Sequence, residues 1–303
     1  MASVYKSVSK TGTKAPKDEE GTKKNKQRVL VLTSRGVTYR HRHLLNDLVA
    51  MLPHGRKDAK LDTKSKLYHL NEIADLYNCN NVLFFEARKR QDLYMWMSKA
   101  PNGPCIKLHV QNLHTMEELH FTGNALKGSR PILSFDATFD RTPAMKLIKE
   151  VLLHVFGVPK AARKSKPFID HVLSFTIADG KIWFRNYQVS EVEAPKKTDD
   201  TDAADKPKSK KSSEQTELSL VEIGPRFVMT PIIILEGSFG GPVIYENKEF
   251  VSPNAVRSEI RKKKAQRYNS RTEEKQRLET KRGELGLEPG RPKGELDESV
   301  LFA

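Results

Sequence analysis

Three arginines and two histidines are concentrated in ten consecutive residues of this 303-residue sequence, SRGVTYRHRH. They are Arg35, Arg40, His41, Arg42 and His43. Their side chains donate hydrogen bonds to phosphate oxygens, and a helix that begins here adds unpaired backbone N–H groups. Because the dipole of that helix favours anions at its N-terminus, clustered arginines oppose it unless an anion binds. The cluster therefore predicts a phosphate site, and the alternative is a solvated helix N-terminus.

A strand and a helix are expected to hold this cluster in place. Residues 28–34 contain the continuous apolar run VLVL, which is typical of a buried strand. From Thr38 onward the apolar residues follow the spacing of one helix face, and Pro53 ends that pattern. The face consists of Leu44, Leu45, Leu48, Val49 and Leu52. Strand, cationic turn and helix thus form one unit.

The apolar frame of this unit returns further along the chain at an offset of 103 positions. Val29 and Leu48 of the first copy correspond to Ile132 and Val151, and the other helix positions match likewise. A shared offset over a strand and a helix predicts an internal duplication. The cationic junction does not return, because its residues are replaced by Thr138, Phe139 and Pro143. The anion-binding turn therefore belongs mainly to the first half.

The charge balance is strongly basic, with 53 Lys and Arg against 38 Asp and Glu and a net charge of +15. Such a charge favours a polyanionic partner, of which nucleic acid is the commonest, with a membrane surface as the rival. No apolar run reaches the length of about 18 residues that spans a bilayer, and residues 1–20 lack the apolar core of a secretory signal. Cys79 and Cys105 fit a reducing intracellular compartment and buried positions. No membrane partner is expected.

Signatures of catalysis and of metal binding are missing from the sequence. It has no Gly-rich nucleotide loop, no HExxH and no GxSxG, and the stretch GSFGG at 237–241 places its serine at the wrong step. His41 and His43 are two residues apart, which puts them on different faces of a helix and argues against a metal pair. The sequence therefore predicts a protein without catalytic residues, metal, cofactor or small-molecule substrate.

Composition divides the chain into a folded region and polar extensions. Residues 1–26 predict a disordered basic arm, and residues 27–253 predict the folded domain, with halves at about 27–128 and 129–253. Residues 193–215 contain no large apolar side chain and predict a flexible insertion between two strands. Residues 254–303 form a basic tail with helical propensity, which is expected to order only on a partner.

Two further predictions concern single segments. Residues 87–97 are predicted as a helix, in which Met95, Trp96 and Met97 are core or partner contacts rather than cofactor contacts. The loop that follows the helix of the second copy is rich in cations. Direct phosphate contact and a solubilising charge run explain these cations equally well. These cations are Lys160, Arg163, Lys164 and Lys166.

Three stretches of this sequence together resemble the Brix-domain family. They are TSRGVTYRHRHLLNDL at 33–48, FDATFDRTPAMKLIKEVLLHVFGVPK at 135–160 and EIGPRF at 222–227. The resemblance covers about residues 27–253. It implies an α/β fold of two duplicated halves related to the anticodon-binding domain of class II tRNA synthetases, with disordered basic N- and C-terminal extensions. The binding residues that fall within the family motifs are Arg35, Arg40, Arg42 and Arg226.

The same resemblance implies a function. It indicates a nucleolar, non-catalytic factor that binds pre-ribosomal RNA during assembly of the large (60S) ribosomal subunit and associates with a helical Ebp-type nucleolar partner. On that basis we expect nuclear and nucleolar localisation and a folded core that contacts rRNA through phosphates, shape and some stacking. The alternative is a protein-interaction scaffold in the pre-60S particle, with only its tails touching RNA.

Overall fold

The computed structural model describes residues 27–62, 66–159, 162, 164–193 and 216–286. The predicted N-terminal arm, residues 194–215 of the predicted insertion and the chain after residue 286 lie outside these ranges, so their disorder stays a prediction. The helices are α1 (Tyr39–Met51), α2 (His69–Leu76), α3 (Met116–Leu119), α4 (Pro143–Phe156) and α5 (Pro253–Glu284), with a 3₁₀ turn at Ala137–Asp140. The strands are β1 (Val29–Thr33), β2 (Gly55–Lys57), β3 (Asn81–Arg88), β4 (Asp92–Lys99), β5 (Cys105–His114), β6 (Ile132–Phe135), β7 (His171–Ala178), β8 (Lys181–Glu193), β9 (Thr216–Glu222), β10 (Arg226–Gly237) and β11 (Gly240–Glu246).

The described strands form one mixed sheet in which two halves repeat the same arrangement. Nine strands lie in the order β2-β1-β3-β4-β5-β10-β8-β7-β6, while β9 pairs with β8 and β11 with β10. In each half a strand, a helix and a parallel strand are followed by antiparallel strands. The antiparallel pair β5 and β10 joins the halves at the centre. The predicted α/β fold of two duplicated halves is confirmed.

Both halves contribute to one hydrophobic core. Helices α1 and α4 cover the same face of the sheet, and their buried residues belong to a single cluster with those of the strands. Phe184 of β8 stacks on Phe227 of β10 with ring centroids 4.5 Å apart. A second cluster lies on the opposite face of the first half, beneath α2. Because the halves share a core, we expect them to unfold together.

The duplication is shifted by one residue from the predicted offset. Val29 of β1 lies in the shared core, but Ile132 of β6 is 50% exposed and the next residue, Leu133, packs against that core. The helices begin with the same shift, since Thr38 caps α1 and Thr142 caps α4. Val29 therefore corresponds to Leu133. A strand changes face at every residue, whereas the wide apolar stripe of a helix tolerates a one-residue error.

The helix predicted for residues 87–97 is wrong. This segment contains the end of β3, a tight turn and most of β4, and the turn residues Lys89 and Arg90 take φ values of +51° and +56°. Both faces of β4 are buried, so its apolar residues run on without the alternation that marks a half-exposed strand. Met95, Trp96 and Met97 are buried, which confirms that they are core residues.

The described residues from Glu249 onward form a second compact unit, which contains α5. The hydroxyl of Ser252 caps this helix by accepting a hydrogen bond from the backbone N–H of Ala255, and no residue of the helix is buried. The predicted helical propensity is confirmed, whereas the disorder predicted for the tail is not seen over Pro253–Glu284. The helix forms for a local reason, because residues 254–282 contain no Gly or Pro to interrupt it. Within the described ranges, no helix is long and apolar enough to cross a membrane.

A candidate nucleic-acid interface at the first strand-helix junction

The turn between β1 and α1 gives the cationic cluster its shape. Gly36 has a φ of +84°, a left-handed conformation that glycine adopts at little steric cost. Thr38 then begins α1, because its hydroxyl accepts a hydrogen bond of 3.4 Å from the backbone N–H of His41. The cluster therefore lies at a helix N-terminus, as the sequence predicts.

Arg35 is already bound to a carboxylate in the folded chain. Its Nε and Nη2 donate hydrogen bonds of 2.5 and 2.7 Å to the two carboxylate oxygens of Asp62. Both side chains are exposed, at 66% and 63%. An exposed ion pair contributes at most about 1 kcal/mol to stability. Asp62 therefore supplies an anion for Arg35 that another anion can replace at little cost.

Two further cations of the cluster pair with the first turn of α3. Arg40 donates to the Glu118 carboxylate, and Nδ1 of His43 lies 2.6 Å from the Glu117 carboxylate. The hydrogen bond from Arg40 lowers the pKa of Glu118 below its ordinary value. The Asp47 carboxylate fixes the turn by accepting a 3.1 Å hydrogen bond from the backbone N–H of Met116. These carboxylates supply anions near a helix end that favours them, so the arginines do not by themselves require a phosphate.

Arg226, far away in the sequence, lies beside this turn. Arg226 pairs with His114 across β10 and β5, and Nδ1 of His114 is 3.8 Å from the same Glu118 carboxylate. The Arg226 guanidinium lies 3.6 Å from the Glu222 carboxylate and 5.9 Å from the centre of the Phe121 ring. The structure therefore brings the first-half motif and the EIGPRF motif together. We call this surface the α1–α3 patch, which comprises Arg40, His43, His114, Glu117, Glu118, Glu222 and Arg226, and we include in it the exposed Arg42 of the same turn of α1.

The adjacent residues His41 and Arg42 have opposite surroundings. His41 faces inward and is buried, and burial, with a smaller effect of the Arg40 charge, lowers its pKa below the usual value. This differs from the predicted phosphate-facing position and follows from the helix period, which turns His41 toward the core. Arg42 is exposed and forms no ion pair with any residue that the structure describes. Arg42 is thus the cation of the cluster that is open to a phosphate.

The sequence of this surface matches a known family. The Brix domain matches residues 34–233, which include both the junction and the start of β10. The chain belongs to the Brix-domain family. The family predicted from the three motifs is therefore confirmed.

The Brix domain of this chain has close relatives. The chain is 58% identical over 277 residues to Ribosome biogenesis protein BRX1 of Saccharomyces cerevisiae, covering 90% of this chain and 91% of the relative. It is 57% identical to Ribosome biogenesis protein brx1 of Schizosaccharomyces pombe over 91% of this chain and 92% of the relative. Among solved structures, it is similar to a probable ribosomal biogenesis protein from Aeropyrum pernix K1, at 13% identity and a TM-score of 0.42, over 73% of this chain and 99% of that one.

The basic loop after α4 forms a different surface of the Brix domain. Lys164 and Lys166 are exposed, and the backbone N–H of Lys166 donates a 2.7 Å hydrogen bond to the carbonyl of Gly128. Lys160 and Arg163 lie outside the described residues. The loop is thus anchored at the junction between the two halves, and its phosphate contacts stay a prediction.

Sequence reasoning missed a buried ion cluster on β3, β4 and β5. Glu86 accepts hydrogen bonds of 2.9 Å from the Trp96 indole and 2.7 Å from Arg88, and Lys107 lies 3.9 Å away. Burial alone raises the pKa of Glu86, but those hydrogen bonds and the Lys107 charge outweigh it and lower the pKa. The sequence signal was the two-residue spacing of Glu86 and Arg88 and of Tyr94 and Trp96, which places each pair on one face of a strand and which the predicted helix obscured.

Replacing Glu86 with Gln is expected to lower the free energy of unfolding by about 2 kcal/mol at neutral pH, since Arg88 and Lys107 lose their anionic partner. The pKa of Glu86 is lower in the folded state than its ordinary value of 4.5, so the cluster stabilises the fold above that pH. Its contribution is lost as the pH falls through the folded-state pKa. Urea unfolding across this range should show the difference from wild type shrinking in acid.

The matched control is Glu246→Gln, which removes an exposed carboxylate at the end of β11. It should change the free energy of unfolding by less than about 0.5 kcal/mol. Equal effects of the two substitutions would contradict the role assigned to Glu86.

The serine of the GSFGG stretch has a structural role. Ser238 lies in the turn between β10 and β11, where its hydroxyl is 2.7 Å from that of Ser98 and donates a 2.5 Å hydrogen bond to the side-chain oxygen of Asn71 on α2. Its hydrogen bonds anchor the turn to α2.

In the described part of the chain, no group of three or more His, Cys, Asp or Glu side chains is placed to hold a metal ion.

Proposed function

We propose that this protein is a non-catalytic ribosome biogenesis factor that binds pre-ribosomal RNA during maturation of the large 60S subunit. Its α1–α3 patch contacts RNA phosphates, and it acts in the nucleolus within a pre-60S particle that includes a helical Ebp-type partner. The observation that carries the proposal is the meeting of Arg40, His43 and Arg226 on one surface of a Brix domain, with the exposed Arg42 in the same turn of α1. The names of the yeast relatives support ribosome biogenesis.

The ion pairs of the patch are compatible with RNA binding. Arg40 and its partner Glu118 are 54% and 30% exposed, and pairs of this kind contribute little to stability. A phosphate can replace the carboxylate partner of Arg40, and a second phosphate can bind the unpaired Arg42 on another side of the same helical turn. The neighbouring carboxylates then hold the guanidinium groups in position before RNA arrives, which reduces the entropy lost on binding.

The test is a double charge reversal in the full-length protein, Arg42→Glu with Arg226→Glu. We expect RNA affinity to fall by at least about tenfold and the slope of log affinity against log salt to become shallower by about 1–2, because two phosphate contacts are lost. Binding to large-subunit precursor rRNA is measured by titration at several salt concentrations. Thermal unfolding should stay within a few degrees of wild type.

The matched control is Lys146→Glu with Lys248→Glu, which changes the net charge equally at exposed positions outside the patch. Equal losses in the two variants would mean that only the overall charge matters, and the patch would be rejected as the RNA contact.

A second function is favoured by one observation, namely that Arg35, Arg40 and His43 already have carboxylate partners. In that case the Brix domain is a protein scaffold and the tails alone touch RNA. RNA crosslinking in cells separates the two. Crosslinked peptides from residues 35–43 or the start of β10 support direct binding by the domain, whereas crosslinks confined to the tails support the scaffold.

A further inference from the structure

The charges of α5 are divided unequally along its length. Residues 253–271 contain seven Lys or Arg and one Glu, whereas residues 272–284 contain four of each kind. In the second segment, Glu273 and Arg277 are four residues apart, as are Lys275 and Glu279, a spacing at which opposite charges attract on a helix. The first segment therefore carries the uncompensated positive charge of the helix.

Four exposed cations of the first segment lie on one face of α5. Arg261, Lys264, Arg267 and Arg271 follow steps of three, three and four residues, which confines them to roughly 120° of the helix circumference over ~15 Å of its length. All four are exposed, as is Tyr268 within the same face. We call these four residues the α5 basic stripe.

Two physical arguments identify the kind of partner that this stripe fits. The large apolar residues of α5 are Val256, Ile260, Tyr268 and Leu278, and they do not form the repeating seam that a coiled-coil partner needs. The cations of the stripe lie three or four residues apart, a spacing at which like charges repel each other on a helix. A polyanion compensates this mutual repulsion.

We propose that the α5 basic stripe binds a row of RNA phosphates and that residues 272–284 of the same helix do not. The proposal rests on the RNA-binding function proposed above but concerns a separate surface. The cations lie one helical turn or less apart, so successive side chains meet successive phosphates. The balanced end of the helix gains nothing from a polyanion, because its cations are already opposed by glutamates.

The test compares two triple variants of the full-length protein that change the net charge equally. The stripe variant is Arg261→Glu, Arg267→Glu, Arg271→Glu, and the distal variant is Lys275→Glu, Arg277→Glu, Lys281→Glu. Affinity is measured for a synthetic duplex RNA and an unpaired RNA of equal charge. The stripe variant should lose at least about tenfold in affinity and about 2 in salt slope, and the distal variant less than about threefold.

A comparison of two single substitutions tests which face of α5 binds RNA. Arg267→Glu should weaken binding more than Lys262→Glu, because Lys262 lies off the stripe on the same segment. Circular dichroism of each variant checks that helix content is retained. A loss on either RNA probe supports phosphate contact, and the probe with the larger loss identifies paired or unpaired RNA as the source.

The results that would contradict these proposals can be told apart. If wild-type protein binds no RNA, the proposed function fails and this inference fails with it. If the stripe and distal variants lose affinity equally, the inference fails while RNA binding by the protein stands. If the stripe variant keeps wild-type RNA affinity but loses binding to a polyglutamate peptide, the stripe docks an acidic protein and the RNA assignment is overturned.

Discussion

Replacing Phe184 with Ala is expected to destabilise the whole Brix domain by about 3–5 kcal/mol. The Phe184 ring is fully buried and lies 4.5 Å from Phe227, 5.3 Å from Phe175 and 5.5 Å from Phe156, measured between ring centroids. These contacts link β8 with α4, β7 and β10. Removing the ring leaves a cavity at the place where the second half meets the central strands, and the surrounding aromatics cannot close it fully.

The measurement is urea unfolding followed by tryptophan fluorescence and by circular dichroism. Trp96 lies in the first half and Trp183 in the second, so both halves contribute to the fluorescence signal. The two probes should give one coincident transition, because α1 and α4 pack into the same core. Phe168→Ala is the control, since that ring is 58% exposed and its loss should cost less than about 1 kcal/mol. Two separate transitions in the Phe184 variant would contradict a shared core.

Replacing Gly224 with Ala is expected to cost about 3 kcal/mol, from backbone strain and a steric clash together. Gly224 has a φ of +78°, and a Cβ atom there would lie 2.4 Å from Cε2 of Phe121. Its carbonyl also accepts a 3.1 Å hydrogen bond from the side chain of Asn186. Because Phe121 is the ring beneath the Arg226 guanidinium, the substitution should also displace Arg226 and weaken RNA binding.

The control Gly180→Ala separates the cost of backbone strain from the cost of the steric clash with Phe121. Gly180 has a similar φ of +67°, but a Cβ atom there would meet nothing within 4 Å. This control should cost only about 1 kcal/mol and leave RNA affinity unchanged. Chemical denaturation and RNA titration of both variants provide the comparison. An equal cost in the two would show that Phe121 moves aside freely and that the glycine of the EIGPRF motif serves the backbone alone.

The sequence by itself determined the features that depend on neighbouring residues. The strand at Val29–Thr33 and the helix after Thr38 follow from local periodicity. The duplication was also visible, because both helices carry a wide apolar stripe. The motifs were enough to identify the Brix-domain family, and Met95 and Trp96, predicted as core or partner contacts, are core residues although their segment was predicted as a helix.

Only the tertiary structure decided the partners of the cationic residues. Arg40 meets Glu118 and comes near Arg226 because β5 and β10 pair at the centre of the sheet, and no local pattern encodes which strand edges align. The burial of His41, by contrast, follows from the helix period, because it lies on the predicted apolar face of α1. The strand at 92–99 resembled a helix because both of its faces are covered, which removes the alternation on which sequence reasoning relies. Local order is set by adjacent side chains, whereas a binding surface is set by contacts between distant ones.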